Sequence, residues 1–433
     1  MMSENNSKTQ ATDNSETVRK YREYVITSFV KSVQPVVAER ASGAVLTDET
    51  GKEYIDCFAG ISVVNAGHCN PEVVAAAKEQ LDRLIHCCSY VYYSKPTADL
   101  AELMAQITPG KLRKTFFCNS GAEGIEGALK IAKLHTGKHE ILALQTSFHG
   151  RTFGTLSVTG NAGRKRRGGP YAPGVTFLQS PGLGRARFHS DGDFISAAEE
   201  ELENAIRYST SGDVAAFIAE PVLGEGGIIV PPRDYFRRLK KILDRHGILF
   251  IADEVQSGFA RTGKMFAIEH FGVEPDILVT AKGIADGFPL GAFTVTKEIA
   301  GAFQPGDHLS TFGGNPVSCA AGIASIQFLL REKIAEHSAQ LGKEMLAHFR
   351  AIKSRAICEV RGLGLMIGIE LVSEGDGAPS AAKADEVRSK CREQGVLVGV
   401  GGVNGNVIRF QPPLIITREQ AMKAADVIER CLS

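Results

Sequence analysis

Residues 248–256 read ILFIADEVQ, an apolar run that ends in two acidic residues and a glutamine. Such a run, continuous rather than alternating, predicts a strand that is buried on both faces of a sheet. Asp253 and Glu254 then lie at the carboxyl end of the strand, the edge at which open α/β sheets bind ligands. A buried carboxylate is costly unless it meets a cation, so Asp253 predicts a positively charged partner. The alternative is an aspartate that caps the following turn.

Short apolar runs and amphipathic segments alternate from about residue 115 to residue 316. Apolar runs predict strands, and apolar residues three or four apart predict helices. Strands are expected at 115–118, 140–144, 155–158, 214–219, 248–252, 276–279 and 291–295, and helices at 122–135 and 234–246. Strands separated by helices favour an α/β fold, with a mostly parallel central sheet flanked by helices.

The pattern of expected helices and strands changes after residue 316. Helices are expected at 317–330, 334–352, 381–393 and 418–432, with strands at 357–360, 365–371 and 407–410, which is typical of a smaller α+β domain. Two segments rich in Gly, Pro and Arg, 161–173 and 182–193, are expected to be loops. We therefore divide the chain into a disordered leader (1–17), an N-terminal segment packing with the small domain (18–65), a large domain (66–316) and a small domain (317–433).

Charge and hydropathy argue against several classes of partner. The 433 residues hold 49 Lys and Arg against 49 Asp and Glu, so nothing favours nucleic acid or an anionic membrane as partner. No apolar run is long enough to span a membrane. Residues 1–17 are polar and lack the apolar segment of a secretion signal.

The nine cysteines are odd in number and irregular in spacing, which argues against a disulfide framework. We therefore expect a reducing, cytoplasmic setting. Cys87 and Cys88 follow His86, and Cys69 follows His68, but no CxxC pair occurs and adjacent cysteines chelate one ion poorly. We expect no metal and interpret these cysteines as buried and inert.

A phosphate seat is expected at residues 119–123, which read NSGAE between a strand and a helix. The N-terminus of a helix presents free N–H groups and a partial positive charge. Gly121 allows close approach and Ser120 adds a hydroxyl, so the segment suits an anion. Taken alone, a simple helix cap by Ser120 is the commoner interpretation.

Lys282 follows an apolar strand in residues 279–287, which read VTAKGIADG. Partial burial lowers the pKa of an ammonium group and frees a nucleophilic amine, although an exposed lysine after a strand is far commoner. The cation that Asp253 needs could be a protonated pyridine nitrogen, which the carboxylate would keep charged as an electron sink. None of these three signals is strong alone, but their occurrence together in this order along the chain is a strong signal.

Together the three segments resemble the class III, or omega-amino-acid, branch of the fold-type I aminotransferases, which use pyridoxal 5'-phosphate. The likeness runs from about Tyr54 to Pro413. Six patches carry it: GISVVNAGH (60–68), NSGAE (119–123), FHGRT (148–152), AEPV (219–222), DEVQSG (253–258) and AKG (281–283). Lys282 follows Asp253 by 29 residues and Thr311 follows Lys282 by 29 more, as in that family.

The resemblance implies roles toward the cofactor. Lys282 would hold it as a Schiff base and later move a proton, and Asp253 would pair with the pyridine nitrogen. Gln256 would contact the ring hydroxyl, and Phe148 would stack on the ring. The implied cofactor site is completed by His149, Ser120, Gly121, Ala122 and Thr311.

Thr311 is implied to reach the phosphate of a neighbouring subunit, which makes the enzyme a homodimer with shared sites. The sequence leaves open whether two dimers form a tetramer. Simpler interpretations also remain: ordinary core packing for Phe148 and a locally bonded loop hydroxyl for Thr311.

The resemblance also implies a substrate site of the 4-aminobutyrate aminotransferase-like kind. Arg151 would bind a substrate carboxylate through its planar fork, and Arg409 would bind the α-carboxylate of the amino-acid or oxo-acid partner. Glu225 would pair with Arg409 while an omega-amine is bound and swing away for glutamate. Glu220 and Ile61 would border the same pocket.

Residues 164–167 read RKRR, which is unusually basic for the loop after the strand expected at 155–158. Charge runs are usually solvated surface, and this is the commoner interpretation. The alternative places the run near the pocket, where it would attract a phosphate or phosphonate group.

Three functions remain open from the sequence. The first is a transaminase that moves the amine of an omega-amino acid to a 2-oxo acid, either 2-oxoglutarate or pyruvate, with Lys282 as general acid and base. The second is a lyase or decarboxylase that uses the same cofactor on a small amine, including one that bears phosphate or phosphonate. The third is a relative without chemistry, which the joint presence of Lys282, Asp253 and the phosphate seat disfavours.

Overall fold

The computed structural model describes residues 15–28, 33–183 and 185–432. The predicted leader falls outside the described residues up to residue 14, and the first helix begins at Glu16. The strands of the described part are β1 (Ala38–Ser42), β2 (Val45–Asp48), β3 (Glu53–Cys57), β4 (Lys114–Cys118), β5 (Glu140–Leu144), β6 (Val175–Leu178), β7 (Val214–Ala219), β8 (Leu249–Asp253), β9 (Ile277–Thr280), β10 (Gly291–Val295), β11 (Ile357–Leu363), β12 (Met366–Leu371), β13 (Val396–Gly401) and β14 (Val407–Phe410).

Helices of six or more residues in the described part precede and connect these strands. They are α1 (Glu16–Tyr24), α2 (Pro71–Arg83), α3 (Lys95–Ile107), α4 (Gly121–Thr136), α5 (Phe153–Val158), α6 (Asp191–Asn204), α7 (Tyr235–His246), α8 (Pro316–Arg331), α9 (Ile334–Ala351), α10 (Ala381–Glu393) and α11 (Arg418–Leu432). Shorter helical turns include Ala59–Ser62, Lys282–Ile284 and Lys297–Ala300.

The central sheet has the order β4-β10-β9-β8-β7-β5-β6. Strands β9, β8, β7, β5 and β6 run parallel, and only β10 is antiparallel to its neighbours. Side chains alternate across the sheet, so Ile218 of β7 packs on the side of α4, while Phe217 faces α6 and α7. The sheet is therefore covered by helices on both faces, which confirms the expected α/β architecture.

The second sheet joins the two ends of the chain in the order β1-β2-β3-β13-β14-β12-β11. Its strands are antiparallel except where β3 runs parallel to β13. Strands from residues 38–57 thus share a sheet with strands from residues 357–410. The boundaries drawn after residues 17, 65 and 316 stay predictions.

The strand expected at 155–158 is wrong, because these residues belong to helix α5. The β-branched residues favour a strand, yet the carboxylate of Glu126 accepts the N–H groups of Gly154 (3.1 Å) and Thr155 (3.3 Å) and caps the turn. The Thr159 hydroxyl donates back to the Thr155 carbonyl (2.8 Å), as hydroxyls inside helices do. Local hydrogen bonds therefore decide this segment against its strand propensity.

All nine cysteines are free thiols, but they are not all buried as expected. Cys69 is exposed, and Cys87 and Cys88 are partly exposed. Cys69 and Cys88 have left-handed backbone conformations (φ of 50° and 53°), so each lies in a turn rather than in a packed element. Among the described helices, none has the length and apolar character that crossing a bilayer requires.

Candidate active site

Strands β4, β5, β7, β8 and β9 all end at one edge of the central sheet, because β10 is antiparallel to both β4 and β9. A cavity of about 340 Å³ opens at this edge. Eight of the nine predicted cofactor residues line it: Ser120, Gly121, Ala122, Phe148, His149, Asp253, Gln256 and Lys282. The topology therefore gathers residues that lie up to 162 positions apart in the chain into one site.

Asp253 is the last residue of β8 and is almost fully buried. Its Oδ1 atom accepts the N–H of Val255 (3.0 Å), so the expected turn cap is present. Its Oδ2 atom lies 2.7 Å from Nδ1 of His149, whose Nε2 is buried without a partner in the described part of the chain. The carboxylate is thus held from two sides at the floor of the cavity.

Lys282 follows β9 and begins the short helical turn Lys282–Ile284. Its φ of 51° is an unusual conformation for a lysine, which marks a constrained position. Burial lowers the pKa of its amine, while the carboxylates of Asp253 and Glu220 raise it. A buried lysine with a lowered pKa supplies the neutral amine that attacks a carbonyl carbon.

Glu220, directly after β7, is buried and lines the same cavity. Its carboxylate accepts the N–H of Phe148 (2.9 Å) and the N–H of Gly224 (2.8 Å). Burial raises the pKa of this carboxyl to about 7, against the opposing effect of nearby His149. The residue therefore ties the backbone of Phe148 and the loop after β7 to the central sheet.

Helix α4 begins at the cavity wall. The Ser120 hydroxyl accepts the N–H of Glu123 (3.2 Å), which confirms the cap, and the Glu123 carboxylate accepts the N–H of Asn119 (2.9 Å). The remaining N–H groups of the first turn have no partner inside the helix and point along its axis. A Cβ at Gly121 would lie 2.8 Å from the Val255 side chain, so only glycine allows this approach.

Gln411 is a site residue that the sequence analysis missed. Its amide nitrogen donates to Oε1 of Gln256 (3.0 Å) and so fixes the side chain that was expected at the ring hydroxyl. A signal was present, since Gln411 lies two positions after Arg409 and residues two apart in an extended segment share a face.

These residues fit pyridoxal 5'-phosphate. The half-buried Lys282, whose amine has a lowered pKa, suits the aldehyde carbon of this cofactor, the Asp253 carboxylate suits its ring nitrogen, and the start of α4 suits its phosphate. The unpartnered His149 nitrogen and the space reserved by Gly121 are features that a packed core does not need.

A cluster of charges lies next to the cavity. Arg409, in β14, is fully buried, and its Nη1 atom donates to Oε2 of Glu225 at 3.4 Å. Its Nη2 atom donates to the Val400 carbonyl (3.1 Å), and its guanidinium lies 5.0 Å from the centre of the Phe58 ring. Burial lowers the pKa of Arg409, while Glu225 raises it. The predicted pair of Glu225 and Arg409 is therefore present.

Arg164 also contacts Glu225, through Nη2 and Oε1. The surface interpretation of residues 164–167 is thus wrong for Arg164, although Arg166 and Arg167 are exposed. Arg151 is exposed as well, with its guanidinium 5.4 Å from the centre of the Phe148 ring. Burial and the charge of Arg164 lower the pKa of Arg151, so the two arginines lie near each other.

Five predicted site residues do not line the cavity of this chain: Arg151, Glu225 and Arg409 belong to the charge cluster beside it, whereas Ile61 and Thr311 belong to neither. Ile61 has a left-handed backbone (φ of 72°) in the turn Ala59–Ser62, and Val63 lines the cavity instead. Thr311 is exposed, between exposed Leu309 and Phe312.

Comparison with known proteins places this site in a family. The family model described as Aminotransferase class-III matches residues 28–432. The chain is 40% identical to an acetylornithine aminotransferase of Methanothermobacter thermautotrophicus, over 97% of this chain and 99% of the relative. It is 38% identical to the 5-aminovalerate aminotransferase DavT of Pseudomonas aeruginosa, over 96% and 98%.

Solved structures of aminotransferases are also similar to this chain. An (S)-enantioselective omega-transaminase from Thermomicrobium roseum superposes with a TM-score of 0.91 at 33% identity, over 96% of this chain and 98% of that one. An ornithine aminotransferase from Toxoplasma gondii superposes with a TM-score of 0.85 at 31% identity, over 96% and 93%. A match of this extent in sequence and in structure establishes that the chain belongs to the class III aminotransferases, which depend on pyridoxal 5'-phosphate.

Proposed function

We propose that the enzyme transfers the amino group of a 4-aminobutyrate-like omega-amino acid to a 2-oxo acid such as 2-oxoglutarate or pyruvate. The observation that carries this proposal is the contact of Glu225 with Arg409 beside the cavity, with Arg151 over the Phe148 ring. The names of two relatives support it, because 5-aminovalerate and acetylornithine each combine a terminal primary amine with a carboxylate.

The cofactor roles follow from the positions of the residues. Bound pyridoxal phosphate supplies an electron sink for bonds at the amine-bearing carbon of the substrate. The Lys282 amine, whose pKa is lowered by burial, takes and returns a proton at its Nζ atom. Asp253, held by His149, presents its carboxylate to the ring nitrogen, and the start of α4 at Gly121 receives the phosphate.

The substrate roles concern two carboxylate sites. Arg151 binds the distal carboxylate of the omega-amino acid, and Glu225 then neutralises Arg409, which has no carboxylate to bind. When a 2-oxo acid enters, Glu225 leaves Arg409, and the guanidinium binds the carboxylate next to the reacting carbon. One site thereby accepts a donor and an acceptor of different charge distribution.

The assembly and the location belong to the same proposal. We assign Thr311 to the phosphate site of a second subunit, since it is exposed here between the exposed apolar side chains of Leu309 and Phe312. The enzyme is then a homodimer whose two sites are shared. The cytoplasm is the proposed location, because all nine cysteines are free thiols, as a reducing compartment favours.

The proposal is tested by mixing the purified holoenzyme with single amines in the absence of any oxo acid. The panel contains 4-aminobutyrate, 5-aminovalerate and acetylornithine, and the cofactor's long-wavelength absorbance is followed. We expect this band to fall with an omega-amino acid and to return when 2-oxoglutarate or pyruvate is added. A band that stays unchanged while ammonia or carbon dioxide accumulates would instead establish a lyase or decarboxylase.

A further inference from the structure

The basic loop after α5 sends one arginine into the charge cluster. Glu225 lies between two guanidinium groups, with Oε1 on Arg164 and Oε2 on Arg409. The Arg409 side chain is fully buried, the Glu225 side chain is 9% exposed and the Arg164 side chain is 29% exposed. Arg164 therefore approaches from the solvent side, and Arg409 from the interior.

The two contacts are unequal. The bond from Arg409 to Glu225 measures 3.4 Å, beyond the usual range for a charged N–H···O bond, and the contact of Arg164 is shorter. Arg409 also keeps a buried Nε atom without a partner in the described part of the chain. The two guanidinium groups thus share the carboxylate, and its long bond to Arg409 leaves Arg409 with unused capacity to donate.

We propose that Arg164 holds Glu225 away from Arg409 and so keeps Arg409 ready for the carboxylate of the 2-oxo acid. Arg164 is a positioning residue in this scheme, because it acts through Glu225 and not on the substrate. The inference rests on the proposed function, since it concerns the acceptor of the same transamination. It assigns the loop at 161–173 a part in setting the balance between donor and acceptor.

The experiment measures the two half-reactions of the holoenzyme separately by stopped-flow absorbance. The aldehyde form is mixed with 5-aminovalerate, and the amine form with 2-oxoglutarate, each over a range of concentrations. In Arg164→Gln, Glu225 has only Arg409 to bind, so the apparent Kd for 2-oxoglutarate should rise about tenfold, as expected for one charged hydrogen bond. The apparent Kd for 5-aminovalerate should stay within about twofold. This donor binds while Glu225 is paired with Arg409, and Arg164→Gln leaves that pair in place.

Arg166→Gln is the matched control, because it removes the same charge from an exposed position of the same loop. It should leave both half-reactions unchanged. Arg164→Lys keeps a cation beside Glu225 and should restore part of the acceptor affinity, which guards against misreading a folding defect.

A double variant separates positioning from direct binding. In the Glu225→Gln background no carboxylate competes for Arg409, so adding Arg164→Gln should change the 2-oxoglutarate Kd by less than about twofold. A further loss there would mean that Arg164 binds the acceptor itself and would overturn the inference, as would an equal change in both half-reactions of Arg164→Gln. If the native enzyme shows neither half-reaction, the proposed function fails instead.

Discussion

The carboxylates around Lys282 differ in their hydrogen-bond and ion-pair partners. Asp253 has His149 and a backbone N–H, and Glu220 has two backbone N–H groups. Glu225 has two guanidinium groups. A carboxylate with a cation stays charged at neutral pH, whereas one with only dipoles in a buried place shifts toward its protonated form. Burial accordingly raises the pKa of the Glu220 carboxyl to about 7.

Asp286 is a buried carboxyl that predicts a pH dependence of stability. Its Oδ1 atom accepts the N–H of Ala66 (2.9 Å), while Oδ2 has no partner in the described part of the chain. Burial raises the pKa of Asp286 from 3.8 to about 7, although His68 opposes this. Because the folded pKa is the higher one, the stability contribution is full below about pH 4 and is lost as pH rises to about 7.

Asp286→Asn should remove this loss. An amide keeps the acceptor for Ala66 and carries no charge, so the variant should be more stable than the native enzyme at pH 8 by about 1–3 kcal/mol. The difference should shrink as pH falls through about 7 and approach zero only near pH 4, below the ordinary pKa of the carboxyl. Thermal unfolding of both holoenzymes across this range measures it, and a difference that does not vary with pH would contradict the ionisation argument.

Some site residues could be found from the sequence and others could not. Asp253 and Lys282 follow apolar runs, so their place at a strand end is written in local pattern. The position of Arg164 depends on how an irregular loop folds back toward Glu225, which lies after β7, and no periodicity encodes that. The charge run alone therefore predicts a solvated surface, although one of its members contacts a buried carboxylate.

The same contrast holds for whole elements. Strands β4, β5, β7, β8, β9 and β10 are predicted to within one or two residues, because each contains a short apolar run and all but the edge strand β4 are largely buried. Strands β1, β2, β3, β6 and β13 were missed. β1 is largely exposed, and β3 and β13 owe their place to a parallel pairing between residues more than 300 positions apart. Long-range pairing leaves little trace in the local pattern.

The start of helix α4 is the candidate phosphate site, and a larger residue at Gly121 should weaken cofactor binding there. Gly121→Ala would place a methyl group 2.8 Å from the Val255 side chain, so the start of the helix must move away from β8. We expect cofactor affinity to fall about tenfold, in line with the usual cost of overpacking. Titration of the cofactor-free protein with pyridoxal phosphate, followed by absorbance, measures the Kd.

Two further variants show whether crowding causes the loss of affinity: one should rescue binding and the other is a control. Val255→Ala removes the atoms that the new methyl group meets, and it should restore most of the affinity in the double variant. Gly192→Ala, in the first turn of α6, places a methyl group at an ordinary contact distance of 3.5 Å from the Ser190 hydroxyl and should leave cofactor binding unchanged. Failure of the Val255 change to rescue binding would mean that the loss comes from the backbone of Gly121 and not from crowding.

At the scale of the whole molecule, each of the two sheets contributes residues to the candidate site. The central sheet supplies Asp253 and Lys282 at its edge, and the second sheet supplies Arg409 from β14. The contact of Gln411 with Gln256 joins the two. Thr311, like Ile61, does not line the cavity of this chain, and we propose that it acts at the site of a second copy.

Mixed dimers test whether the sites are shared. Lys282→Ala removes the reacting amine, and Thr311→Asp sets a negative charge where the phosphate of the partner's cofactor is expected, so each variant alone should be inactive. The two chains are expressed together with different tags. In a mixed dimer with shared sites, one site carries both defects and the other carries none. Random pairing makes about half of the dimers mixed, so about a quarter of the native activity should return.

A site built from one chain predicts the opposite result. Every site of the mixed dimer would then carry Lys282→Ala or Thr311→Asp, and activity would stay at the level of the parents. Purification on both tags in sequence isolates the mixed species, where shared sites give about half of the native activity per dimer. Size-exclusion chromatography with light scattering confirms that the measured species is a dimer. An inactive mixed dimer of the correct mass would therefore mean that Thr311 acts within its own chain, and it would exclude Thr311 from the partner's phosphate site.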